Sequence, residues 1–168
     1  MLKYFTLIGI LGFTIILFSF QNITDKFIPS VTLKDMMGKQ VNSSELTNGD
    51  HPFIIAFWGS YCPHCHEELE NISEVYEDWQ DELGVKLIAI AIDDARTSKK
   101  VKPYVNGKGW DYEVYLDENN SMMKALSVNK LPYIVVADTT GKIVFERFQY
   151  YDGAEEELYE FINNIIEK

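Results

Sequence analysis

Two cysteines are the whole sulfhydryl complement of this 168-residue chain, and they stand three apart in Cys62-Pro63-His64-Cys65. That spacing places both thiols within one turn of a helix, close enough to join as a disulfide. Pro63 suits a first helical position, where its missing N–H costs nothing. Cys62 is therefore expected at a helix N-terminus. There the helix dipole and free backbone N–H groups favour a thiolate, the reactive form of cysteine. A bridge closing so short a loop removes little chain entropy and makes a poor staple, so redox exchange is the chemistry expected of the pair. His64 can add positive charge nearby.

The surrounding elements must hold that pair in place. Phe53-Ile54-Ile55-Ala56-Phe57-Trp58 is a continuous apolar run, as expected of a strand buried on both faces, and Gly59-Ser60 ends it. After the cysteines, Leu69, Ile72, Val75, Tyr76, Trp79 and Leu83 join Cys65 on one helical face, and Gly84 is a C-cap. Val85 to Ile92 reads as a second buried strand, ended by Asp93-Asp94, so strand, helix and strand form a parallel crossover unit.

Upstream, Val31-Thr32-Leu33 and Lys39-Gln40-Val41 flank Gly38 as a hairpin, and Ser43 or Ser44 caps a short turn. Downstream, a helix is expected over Thr97 to Asn106, ended by Gly107 and Gly109. A strand follows at Glu113–Leu116 and a helix at Ser121–Leu126. Pro132 precedes the apolar run Tyr133 to Ala137, as a strand's first residue can. Thr139-Thr140-Gly141-Lys142 turns the chain into a strand over Ile143–Phe148. Asp152-Gly153-Ala154-Glu155 reads as a cap for a last helix with Leu158, Phe161, Ile162, Ile165 and Ile166 as its apolar stripe.

A cysteine pair between a buried strand and a helix resembles the active site of thioredoxin-like proteins. With the N-terminus described below, the chain is identified as similar to the TlpA/ResA-type thiol-disulfide oxidoreductases over about Ile28 to Ile166. The resemblance implies an α/β thioredoxin-like fold, a central mixed β-sheet flanked by helices, with an added N-terminal β-hairpin. It implies Cys62 as attacking thiol, Cys65 as resolving thiol, and a redox-active Cys62–Cys65 disulfide. It further implies a cis bond at Leu131-Pro132 facing the dithiol, and proton transfer by Glu68, three residues past Cys65. Thioredoxin carries a buried aspartate where this chain has Ala56, so another group must handle the proton. For Glu68 the alternative is a solvated residue favouring a helix's first turns. Trp58 and Tyr61 are expected as aromatic walls facing the substrate with Leu131 and Pro132. His66 and His51 are expected at the surface and in a loop.

The first 24 residues bear on location. Tyr4 to Thr24 carries no charge, and as a helix it would rise about 31 Å, enough to cross a bilayer's hydrocarbon core. No small-x-small cleavage pattern follows Phe18, so an uncleaved anchor is favoured over a signal peptide. Lys3 keeps the N-terminus in the cytoplasm and puts residues 25–168 outside it. A net charge of −11 offers no basic stripe for nucleic acid.

The expected partners are protein thiols or disulfides, with a membrane electron donor to recharge the pair; no cofactor is required. TlpA/ResA-type relatives are mainly reductants, some serving cytochrome c maturation, so a disulfide reductase is expected. The Pro-His pair is also that of DsbA, a strong oxidant, which makes an oxidase the alternative. Cys62-Pro63-His64-Cys65-His66 matches the attachment pattern of c-type haem, but a buried strand leading into it is the wrong context. Copper carriers of this fold separate their cysteines by one residue more, so no metal is expected. A peroxidase would want threonine at position 59 and proline at 55, where glycine and isoleucine stand.

Overall fold

The computed structural model of the chain describes residues 25–167. The expected anchor over residues 1–24 lies outside them, and no helix among the described residues is long and apolar enough to cross a membrane. Seven strands form one sheet: β1 (Thr32–Asp35), β2 (Gln40–Asn42), β3 (Phe53–Trp58), β4 (Lys86–Ala91), β5 (Glu113–Leu116), β6 (Tyr133–Ala137) and β7 (Ile143–Phe148). Their order across the sheet is β2-β1-β5-β4-β3-β6-β7. Among the described residues four α-helices cover it: α1 (Pro63–Leu83), α2 (Val101–Lys108), α3 (Ser121–Ala125) and α4 (Ala154–Ile166).

β3 is central because its side chains can be buried on both faces, and all six are. It runs parallel to β4 on one side and antiparallel to β6 on the other. Its alternation divides the core in two. Ile54, Ala56 and Trp58 face the layer built by α1, α2 and α4, with Leu69, Ile72, Val105, Leu158 and Ile162. Phe53, Ile55 and Phe57 face a second layer with Leu33, Met122, Met123 and Leu126, supplied by β1 and the α3 segment. Each fully buried aliphatic or aromatic side chain contributes roughly 1.5–3 kcal/mol relative to exposure.

Several boundaries differ from expectation. Asn42, rather than Ser43 or Ser44, caps the turn after β2, accepting the Ser44 N–H at 2.9 Å. Ser43 is buried, and its hydroxyl donates to the Pro29 carbonyl at 2.5 Å. A 3-10 turn, Ser98–Lys100, precedes α2, which starts at Val101 and runs through Gly107 to end at Gly109. Pro103 is tolerated because it lies in the first turn, where N–H groups have no intrahelical acceptor. Asp152 does not cap α4: Gly153 takes that position in the left-handed region (φ 82°) and supplies no side-chain acceptor.

Candidate active site

Where β3 stops, the loop Gly59-Ser60-Tyr61 carries the chain into α1. The Cys62 N–H donates to the Gly59 carbonyl at 3.0 Å, closing a turn. Cys62 is the N-cap residue of α1, extended at φ −105°, and its Sγ accepts the Cys65 N–H at 3.3 Å. Pro63 follows as the first helical residue. The two sulfurs are joined as a disulfide, with Cα atoms 5.3 Å apart. Their surroundings are unequal: Cys62 is half-buried, whereas Cys65 is 1% exposed. A Cβ at Gly59 would lie 2.9 Å from the exposed Tyr61 ring, which would have to turn away to admit it.

Leu131-Pro132 is a cis peptide, as the resemblance implied. Tyr133 pairs with Phe57, so Pro132 lies level with Trp58 at the end of β3 that carries the cysteines. Pro132 is buried and its carbonyl accepts the Gln149 N–H at 3.2 Å. Beside it Lys130, Leu131, Phe148 and Gln149 line an open groove of about 560 Å³. Phe148 is half exposed and stacks on Tyr133, which stacks on Phe57.

Glu68 is buried, not solvated. Its Oε1 accepts from Arg147 Nη2 at 2.7 Å, an ion pair joining α1 to β7 with both side chains nearly sealed from water. Burial pushes the Glu68 carboxyl up, and the hydrogen bond and charge of Arg147 pull it part of the way back. Arg147 also donates to the Ala154 carbonyl and, at 3.3 Å, to Glu157. His64 by contrast is largely exposed, with Nδ1 3.6 Å from Glu67.

Two expectations are corrected here. Trp58 faces no substrate: it has no exposed surface and packs against His66, Tyr104 and Trp110. Only Tyr61 of that pair is exposed. His66 is half-buried rather than superficial, stacked on Tyr104 at 4.4 Å with Nε2 3.1 Å from the Gly59 carbonyl. A carbonyl only accepts, so Nε2 carries the proton. Burial lowers the His66 pKa, while the Gly59 carbonyl and Glu70 oppose that shift.

Residues 24–146, well over half of the chain, match the AhpC/TSA family. The chain belongs to that family. Among curated relatives, the thiol-disulfide oxidoreductase ResA of Bacillus anthracis is 30% identical over 119 residues. That match covers 71% of this chain and 66% of the relative, just under two thirds of its length. An uncharacterized thioredoxin-like protein from Porphyromonas gingivalis is 42% identical with a TM-score of 0.75, covering 83% of this chain and 92% of that one. StoA from Bacillus subtilis, 20% identical, shares the fold with a TM-score of 0.64 over 80% of this chain and 96% of that one. The thioredoxin-like fold with its N-terminal hairpin is thus shown.

Arg147 and Asp93 were missed from sequence. Arg147 stands two residues after Phe145 on β7, so the period-2 pattern could have placed both on the α1 side. Asp93 read only as the end of a strand. It is fully buried and accepts the Ser60 N–H at 2.8 Å and the Ser60 hydroxyl at 2.5 Å.

Proposed function

We propose that this AhpC/TSA-family chain is a membrane-tethered, extracytoplasmic thiol-disulfide oxidoreductase that reduces protein disulfides. The observation that carries the reading is the disulfide across the first turn of α1, one sulfur half-buried and the other sealed. In the reduced form, the Cys62 thiolate attacks a sulfur of the partner's disulfide. A mixed disulfide forms and one partner thiolate leaves, taking a proton. Cys65 then gives its proton to Glu68 and attacks Cys62 Sγ, releasing the second partner thiolate. Two electrons have passed to the partner, and the Cys62–Cys65 disulfide remains for a membrane electron donor to reduce. The carboxyl of Glu68, pushed up by burial, is suited to accepting that proton.

The partner's extended segment docks along Leu131-Pro132 and Phe148, with exposed Tyr61 and His64 at the cysteine side. The entry of the chain supports tethering with the disulfide turned outward. Asp25 pairs with Lys142 at 2.7 Å, and Phe27 bridges to Lys142. These contacts lie at the sheet end where β3 begins, and the disulfide lies where it stops. The six residues of β3 alone separate those ends by about 17–20 Å.

Equilibration of the full-length protein in detergent with glutathione buffers tests the reading. A reduction potential at or below about −220 mV is expected; one near −120 mV would mark an oxidase. Absence of a reversible two-electron transition would remove the oxidoreductase reading altogether.

A further inference from the structure

Asp93 is a fully buried carboxylate that the exchange steps above do not use. It follows β4, whose neighbour β3 feeds the cysteine loop; the Ile92 N–H still donates to the Trp58 carbonyl at 2.9 Å. Both Asp93 oxygens are then spent on Ser60, two residues before Cys62. Desolvating a carboxylate costs several kcal/mol, which hydrogen bonds to the charged form only partly offset.

The carboxylates near it are handled differently. Glu68 is paired with Arg147, Glu70 with Lys108, Glu67 with His64, and Asp94 with Arg96. Asp93 has no Lys, Arg or His partner within 4.0 Å among the described residues. Its charge reaches its neighbours: it adds to the upward push that burial gives the Tyr61 hydroxyl, and it opposes the downward push on His66. Holding Ser60 needs no charge, because an amide could accept the Ser60 N–H and donate to its hydroxyl.

We propose that Asp93 is a positioning residue of the dithiol. Through Ser60 it fixes the loop that presents Cys62, and its unpaired negative charge opposes the Cys62 thiolate. The inference rests on the oxidoreductase reading and deepens it by naming what sets direction. The thiolate belongs to the reduced form, so a charge that disfavours it favours the disulfide and makes the dithiol the stronger electron donor. The α1 dipole acts in the opposite sense. The charges of Glu68 and Glu70 are offset by Arg147 and Lys108, whereas Asp93 meets only Ser60.

Asp93→Asn keeps both contacts to Ser60 and removes the charge. In the full-length protein, its Cys62 thiol should titrate about one pH unit lower by thiolate absorbance. At a pH well above the Cys62 titration, where the thiol is ionised in both proteins, the variant's equilibrium with glutathione should move about tenfold toward the dithiol, or about 30 mV. An unchanged titration and equilibrium in a folded Asp93→Asn protein would overturn the proposal. Loss of the two-electron transition in the wild type would instead sink the oxidoreductase reading. A wild-type transition that Asp93→Asn leaves unmoved sinks only the role of Asp93.

Discussion

Glu68 and Asp93 are both carboxylates with almost no solvent contact, one on each flank of the Cys62–Cys65 turn, yet their settings are opposite. Glu68 meets a guanidinium at 2.7 Å, held in turn by the Ala154 carbonyl and Glu157. Asp93 meets only a backbone N–H and a hydroxyl. A carboxylate held against a cation keeps its place whatever its neighbours do, and burial still lifts its pKa toward the working range. That setting is the basis of the proton-accepting role proposed for Glu68. A carboxylate fixed by neutral donors alone has no cation to offset its charge, which is the basis of the role proposed for Asp93.

The most damaging way to break this contrast is to take the cation from Glu68. Arg147→Met leaves a buried carboxylate unpaired and should cost about 3–5 kcal/mol at pH 7, measured by urea unfolding. The pH dependence has a definite sign. A carboxyl whose folded pKa lies above its unfolded value gives stability that is full below the unfolded value and is lost as pH rises through the folded one. Removing Arg147 lifts the folded value further. The variant's deficit should therefore shrink on acidification from pH 7 toward 5, and a deficit constant with pH would show that Glu68 is not what the arginine serves.

Glu68→Gln tests the proton-handling half more gently. Stopped-flow tryptophan fluorescence should show resolution of the mixed disulfide slowed about a hundredfold, the low end for a general base. The glutathione equilibrium should move far less than in Asp93→Asn, because Arg147 already offsets the Glu68 charge. If Glu68→Gln shifts the equilibrium and spares the rate, the two carboxylates have exchanged roles.

What was legible in the sequence follows from how local each signal is. The β3 run, the helix start at Pro63 and the Gly84 cap are each specified within a few residues, and all three stand where the pattern puts them. Leu131-Pro132 was legible through resemblance, because nothing local distinguishes a cis bond. The site's charges were not legible. Of Asp93 and Asp94, one turns inward to Ser60 and the other outward to Arg96 and Thr97, and only the meeting with the loop after β3 decides which. Arg147 finds Glu68 across 79 positions of chain. Trp58 looked like a wall of the site because it adjoins it in sequence, but strand alternation turns its ring into the α1-side core.

His66 gives the smallest expected effect, and it sharpens the comparison by carrying the opposite sign from Glu68. Its ring lies between Tyr104 and the Gly59 carbonyl, the same carbonyl that accepts the Cys62 N–H. Burial lowers its pKa, so the folded protein binds a proton there less readily than the unfolded chain. Stability from this group is present above the unfolded value, about 6.5, and is lost as pH falls through the folded value. Glu68 gains over the same acidification, so the wild-type profile alone blends the two. The difference between wild type and His66→Gln separates them, since glutamine can still donate to Gly59 but does not titrate. That difference should favour the wild type more at pH 7 than at pH 5. A difference that is flat, or that grows on acidification, would mean that His66 holds the Gly59 loop as readily charged as neutral, and the loop's pH response would then belong to the carboxylates alone.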